Sequence, residues 1–377
     1  MTADDNAEPS ALGTLLRAGS ALYGAGVRLK NAGYDSGFLT GKKLPCRVIS
    51  IGNIVAGGTG KTPMTIYLST MLKRMGHRPV VLSRGYGGLA EKKGIVVSDG
   101  YEILCGPDVA GDEPVMMAAQ LRGVPVIVGG DRYKSGRRAI SEFDPDIIVL
   151  DDGFQHRRLR RNLDLVLLDA RNMFGNGHLM PRGMLREHVS ALRRSSAIVF
   201  TRCGAGCDAA ANAMEHQRVN ILPEDLSGFR DKPIFHTDHA PFLSGIYDGT
   251  APLGQDILPE TAESDFSPLV QANVFIFSGI AKNRDFLTVV ENNAARVVGH
   301  EAFPDHHPYT DAEIRGIVDS AVSGEADFLV TTEKDYVRIA GKIPGDIPIA
   351  VIGVKIVFMN EEESLFARFI RQNLIGA

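Results

Sequence analysis

A β-branched run, Val48-Ile49-Ser50-Ile51, enters the glycine-dense stretch Gly52-Asn53-Ile54-Val55-Ala56-Gly57-Gly58-Thr59-Gly60 and leaves it through Lys61-Thr62-Pro63 into a helix. That order suits a polyphosphate. Glycines let the backbone fold so that successive N–H groups converge on an anion, and the helix N-terminus adds partial positive charge. In this frame Lys61 reaches the β and γ phosphates and the Thr62 hydroxyl can ligate Mg2+. The helix is legible from Met64, Leu68, Met71, Leu72 and Met75, which share one face. Pro63 fits its first turn, where an N–H has no intrahelical acceptor. A glycine turn that binds nothing is the bland alternative, and Gly-Lys-Thr in register with strand and helix argues against it. The stretch reads as a P-loop, with Val55, Ala56, Gly57, Gly58, Thr59, Gly60, Lys61 and Thr62 holding the nucleotide. One residue departs from the usual pattern: Val55 stands where a glycine is customary.

A nucleotide site of this kind needs a second half. Ile147 to Leu150 is an apolar strand that delivers Asp151-Asp152 at its carboxyl end, where a carboxylate holds Mg2+ directly or through water. Gly153-Phe154-Gln155-His156 turns the chain, and Arg157, Arg158, Arg160 and Arg161 follow as a basic cluster, either a solvated face or a seat for an anion. Another strand end carries the loop Ser83-Arg84-Gly85-Tyr86-Gly87-Gly88, and Gly111-Asp112-Glu113-Pro114 comes ahead of a helical stretch with Val115, Met116, Ala119 and Leu121. Acidic residues at a helix start often only complement the dipole, yet a carboxylate near phosphate can also serve as a base. The candidates for that role are Asp112, Asp151, Asp152 and His306, and an Asp–His pair is attractive because the carboxylate orients the imidazole. Phe174-Gly175-Asn176-Gly177 through Arg182, Leu185, Arg186 and Glu187 reads as a substrate-facing loop.

Strands alternating with helices predict an α/β fold, P-loop NTPase-like, with a mainly parallel sheet in an α/β/α arrangement and a second, smaller α/β/α domain. The expected divisions are an amphipathic N-terminal helix at 1–35, a nucleotide-binding core at 36–225, a linker at 226–270 and a C-terminal α/β domain at 271–377. Lys and Arg number 41 against 45 Asp and Glu, so no global basic field argues for nucleic acid. Cys46, Cys105, Cys203 and Cys207 form no zinc pattern and suggest a reducing compartment. No run reaches the roughly 18 apolar residues of a transmembrane helix, and residues 1–9 lack the cationic start of a cleavable signal. Residues 10–30 carry Leu12, Leu15, Leu16, Leu22, Tyr23, Val27 and Leu29 with Arg17, Arg28 and Lys30. Such a helix either docks on its own domain or lies in a bilayer interface facing anionic headgroups.

Taken together these motifs resemble the tetraacyldisaccharide 4′-kinase (lipid A 4′-kinase) family. The resemblance runs collinearly through Ser50-Ile51-Gly52-Asn53, the glycine loop, Ser83 to Gly88, Gly111-Asp112-Glu113-Pro114, Asp151-Asp152-Gly153-Phe154-Gln155-His156 and Phe174-Gly175-Asn176-Gly177. It continues in Leu185-Arg186-Glu187, Phe277-Ser278-Gly279-Ile280-Ala281, Asp305-His306 and Thr332-Glu333-Lys334-Asp335. It implies transfer of the ATP γ-phosphate to the 4′-hydroxyl of an acylated disaccharide 1-phosphate lipid, giving lipid IVA. By that resemblance Asp112 paired with His306 activates the hydroxyl, Asp151 and Asp152 serve the Mg2+ and phosphate site, and Lys61 and Thr62 hold ATP. Arg132, Arg182 and Arg186 are expected to touch phosphate or substrate. The family also implies two lobes with the site between them, and a helix docked on the membrane surface. The expected location is peripheral, at the cytoplasmic face of the inner membrane. A rival reading is a nucleotide-switched peripheral membrane ATPase of another pathway. A guanine-reading Asn-Lys-x-Asp is absent, which counts against a GTPase.

Overall fold

The computed structural model describes residues 11–86, 88, 89, 94–204, 229, 231–248, 266–293, 296–344 and 347–375. Residues 1–10, Gly87, Cys207 and, within the expected linker, residues 226–228, 230 and 249–265 lie outside these. Strands run, in chain order, Arg47–Gly52 (β1), Pro79–Ser83 (β2), Ile95–Ser98 (β3), Val126–Val128 (β4), Ile147–Leu150 (β5) and Leu163–Asp169 (β6). They continue as Ala197–Thr201 (β7), Ile234–Tyr247 (β8), Asn273–Ser278 (β9), Arg296–Ala302 (β10), Phe328–Thr332 (β11) and Ile349–Phe358 (β12). The chain forms two compact units: Met1–Lys61 with Leu150–Asp238 and Val357–Ala377, and Thr62–Val149 with His239–Ile356.

In the first unit β1, β6, β7 and the start of β8 pair in parallel, with Ile51 opposite Leu165, Leu165 opposite Ala197 and Ile198 opposite Ile234. A parallel sheet covered on both faces needs unbroken apolar runs, and Leu163 to Leu168 of β6 is buried along its whole length. Ile54, Val55, Phe154, Val166, Leu168, Leu185 and Leu192 form a core against this sheet. The helix Glu362–Ile375 packs the edge of Phe366 against Phe235, ring centroids 5.0 Å apart.

The helix Ala11–Asp35 docks in this unit through its small and polar residues. Ser20 Oγ donates to the Leu179 carbonyl at 2.8 Å, Tyr23 OH to the Arg186 carbonyl at 2.9 Å, and Asn31 Nδ2 to Glu187 at 2.7 Å. Arg157 closes the far end by donating to Asp35 at 2.6 Å and stacking over Tyr34. The opposite face is left apolar and exposed: Leu15, Leu22 and Leu29, seven residues apart, are 69%, 77% and 76% accessible.

The second unit holds β5-β2-β4-β3 and β10-β9-β11-β12 as neighbours; β2–β4, β9–β10, β9–β11 and β11–β12 pair in parallel and β3–β4 antiparallel. Strand β9 shows the layering. Its alternate residues Phe275 and Phe277 join the helix Asp311–Ser323 on one face, and Val274 and Ile276 join Phe286 and Val290 of the helix Asn283–Asn293 on the other. Thr310 and Glu313 cap the first of these helices reciprocally, as their spacing predicts.

Candidate active site

The glycine loop is built outward from β1. Asn53, fully buried, donates from Nδ2 to Thr59 Oγ1 at 2.9 Å and ties the two ends of the turn together. Gly57 and Gly60 take φ of +115° and +83°, which residues with a Cβ avoid. The carbonyls of Thr59 and Gly58 accept from Thr201 Oγ1 at 3.0 Å and Arg202 Nη1 at 2.7 Å. The unusual Val55 has a plain physical role. It bridges Leu185 in antiparallel fashion and is 5% exposed within the apolar core, so a β-branched residue is the better choice there.

Strand β5 delivers Asp151 and Asp152 as expected. Asp151 is buried, while Asp152, at φ +50°, turns the chain. The Lys61 ammonium lies 3.8 Å from Asp152, and Arg186 Nη1 donates to both Asp152 oxygens at 3.0 and 2.8 Å. Gly153 N donates to the Ile51 carbonyl at 2.9 Å, which fastens this turn to β1. Gln155 bridges the Asn53 carbonyl and Glu187, and Arg194 grips the buried Glu187 with two 3.0 Å contacts. Three cationic or carboxylate groups of the sequence reading, Lys61, Asp152 and Arg186, thus meet at one place.

In the second unit Asp112 opens the helix Asp112–Gln120. The loop after β2 is its bed: a Cβ on Gly88 would lie 2.5 Å from the Val109 carbonyl oxygen and 2.8 Å from Gly111 N, so the glycine admits backbone against backbone. His306, at φ +62° in its loop, brings Nδ1 to 2.8 Å from Asp112 Oδ2. The pair expected from sequence is therefore formed across 194 residues of chain. Two further cations complete it. Arg338 donates from Nε to Asp112 Oδ1 at 2.7 Å and from Nη2 to Oδ2, while Nη1 donates to the His307 carbonyl at 3.1 Å. Lys334 Nζ stands 3.1 Å from His306 Nε2 and 3.1 Å from Asp305 Oδ1. Burial alone would raise the Asp112 carboxyl, but the hydrogen bonds from Arg338 and His306 outweigh it and hold the group well below the usual carboxylate range.

The helix Glu333–Ile339 supplies these cations and is itself anchored by buried acids. Asp335 accepts from Thr332 Oγ1 at 2.7 Å and Tyr309 OH at 3.1 Å, and burial raises it. Glu333 accepts from Ser244 Oγ and, at 2.6 Å, from Gln120 Nε2 at the far end of the Asp112 helix, and burial pushes its carboxyl up to about 7. Arg132 is buried and donates to the Gly129 and Gly130 carbonyls at 3.1 and 3.3 Å. Arg182 is held through its backbone N–H, which donates to Ser20 Oγ at 3.0 Å. Of the basic cluster, Arg157, Arg160 and Arg161 fasten onto Asn31 and Asp35, Gly41, and Asp164 respectively. Sequence reasoning did not single out Arg338. Its signal was the four-residue step from Lys334, which puts two cations on one helix face.

A family model described as LpxK, tetraacyldisaccharide-1-P 4′-kinase, matches residues 12–374. The chain is 38% identical over 362 residues to the tetraacyldisaccharide 4′-kinase of Desulfatibacillum aliphaticivorans, covering 96% of this chain and 93% of that protein. It is 40% identical over 327 residues to that of Syntrophus aciditrophicus strain SB, covering 86% and 84%. Among solved structures it is similar to "apo" form LpxK from Aquifex aeolicus in complex with ATP, with a TM-score of 0.71 and 31% identity over 94% of this chain and 97% of that one. The chain belongs to the LpxK family of tetraacyldisaccharide-1-P 4′-kinases.

Proposed function

We propose that this chain transfers the γ-phosphate of ATP to the 4′-hydroxyl of a tetraacylated disaccharide 1-phosphate, giving lipid IVA. Family membership supplies the reaction, and the 2.8 Å contact between His306 and Asp112 is the observation that supports its assignment to these residues. Transfer needs a proton acceptor for the hydroxyl and a positively lined seat for the phosphates. Asp112 and His306 fit the first need. Lys61 and the loop of Val55, Ala56, Gly57, Gly58, Thr59 and Gly60 fit the second, with Arg186 poised on Asp152 beside it.

Thr62, Asp151 and Asp152 supply hard oxygen donors of the kind Mg2+ prefers, and the ion bound there would neutralise charge on the β and γ phosphates. Arg132, Arg182 and Arg186 are the cations we assign to phosphate or substrate contacts. The acyl chains of such a substrate stay in a bilayer, and we place the enzyme peripherally at the cytoplasmic face of the inner membrane. No helix among the described residues is long and apolar enough to cross a membrane, while the N-terminal helix offers an exposed leucine line for an interfacial seat.

ATP turnover should rise only when acylated disaccharide 1-phosphate is present in detergent micelles. Turnover driven equally well by empty vesicles would support the nucleotide-switched ATPase and sink the kinase assignment.

A further inference from the structure

The glycine loop is held from the neighbouring strands as well as from its own ends. Arg202 follows β7 directly and Asp169 ends β6, where it lies opposite Thr201 in the parallel register. The carboxyl ends of parallel strands are where such sheets bind ligands. Arg202 takes φ +58°, a backbone conformation uncommon for a residue with a Cβ and kept only where the surroundings impose it. Its Nη1 donates to the Gly58 carbonyl at 2.7 Å and to Asp169 Oδ2. Asp169 is itself fixed by its turn: Oδ1 accepts from Arg171 N at 3.0 Å, and the Asp169 carbonyl from Asn172 N at 3.1 Å. The two side chains are 17% and 13% exposed, so solvent competes little for the pair.

A trans peptide points its C=O and its N–H to opposite sides. Arg202 pins the carbonyl of the Gly58–Thr59 peptide, and Thr201 Oγ1 pins that of the next peptide at 3.0 Å. With both carbonyls drawn toward β7, the N–H groups of Thr59 and Gly60 are turned the other way, into the loop. There the Thr59 N–H closes a tight turn on the Gly57 carbonyl at 3.1 Å. A run of glycines left unpinned would sample other conformations, and a ligand that had to order it would bind more weakly.

We propose that Arg202, braced by Asp169, is a positioning residue for the phosphates of ATP: it sets the Gly58–Thr59 peptide so that the loop meets the nucleotide with its N–H groups already aligned. The proposal rests on reading this loop as the ATP seat. Arg202 acts here through geometry more than through its charge, because the Asp169 carboxylate shares the same Nη1 and offsets the guanidinium. The pairing also accounts for an acid at this strand end, since a carboxylate without a cation would repel phosphate.

The test is equilibrium dialysis of Mg-ATP, with kcat and both KM values in the kinase assay, for the wild type, Arg202→Met, Asp169→Ala and Lys61→Met. Arg202→Met is expected to raise Kd and KM for ATP about tenfold, with KM for acylated disaccharide 1-phosphate held within about twofold. Asp169→Ala, which keeps the guanidinium but removes its brace, should raise the ATP Kd about threefold or more. A Kd below the wild-type value in Asp169→Ala would assign Arg202 to charge and overturn the positioning role. A loss confined to kcat in Arg202→Met, with Kd unmoved, would mean only a smaller folded fraction and overturns it too. Lys61→Met separates the proposal from the reading beneath it. An unmoved ATP Kd in Lys61→Met removes the loop as the ATP seat and the proposal with it, whereas a raised Kd there beside an unmoved one in Arg202→Met strikes the proposal alone.

Discussion

Glu333 is a buried acid placed between two elements that carry the site. Its carboxyl, pushed up to about 7 by burial, is tempered only by hydrogen bonds from Ser244 and Gln120. Its folded value lies above the ~4.3 of an unfolded glutamate. The folded state therefore holds the extra proton between these values. The stability this contributes is full below about pH 4 and is lost as pH rises through 7, a swing of ~3 kcal/mol. Glu333→Gln keeps both neighbours in reach, since the Gln120 amide can turn its oxygen to the new NH2. The variant is expected to show a flatter Tm between pH 5 and 8 than the wild type and to be the more stable at pH 8, and an unchanged slope would show that Glu333 ionises at no cost. The motif Thr332-Glu333-Lys334-Asp335 was visible in the sequence, but the partners of Glu333 lie 89 and 213 residues away and leave no local pattern. Val55 was legible only as a departure, because its reason is the contact with Leu185.

Among the elements, β1, β5 and β9 stood out in the sequence because β-branched and aromatic runs bounded by glycine or acid have few other uses. The N-terminal helix was legible as amphipathic and ambiguous as to which face is covered. The structure resolves this through size: Gly19, Ser20, Tyr23 and Gly24 lie against Leu179, Pro181 and Arg186, leaving Leu15, Leu22 and Leu29 outward. Exposed leucines contribute little to folding and about 1.5–3 kcal/mol each when an apolar phase covers them. The combined Leu15→Gln, Leu22→Gln, Leu29→Gln variant should lose binding to anionic phospholipid vesicles at least tenfold in a flotation assay while its Tm holds. Undiminished flotation would remove the helix from membrane contact. The arginines at 157–161 read in the sequence as an open cluster, because their partners Asn31 and Asp35 come from this helix and not from their own neighbourhood.

For the molecule as a whole, the mainly parallel α/β architecture was readable from alternation of strand and helix, and the P-loop placed its own elements. What could not be read was the company each site residue keeps. Lys61 with Asp152 and Arg186 in the first unit, and Asp112 with His306, Arg338 and Lys334 in the second, are assembled by pairings that local periodicity does not encode. The proposed reaction assigns the phosphates of ATP to the first group and the proton of the acceptor hydroxyl to the second. Transfer of label from [γ-32P]ATP to acylated disaccharide 1-phosphate tests this most directly, in the wild type and in Asp112→Asn and His306→Gln. The prediction is labelled product from the wild type and a rate ~100-fold lower or less in each variant, with ATP binding retained. Transfer at the wild-type rate by both variants would contradict it.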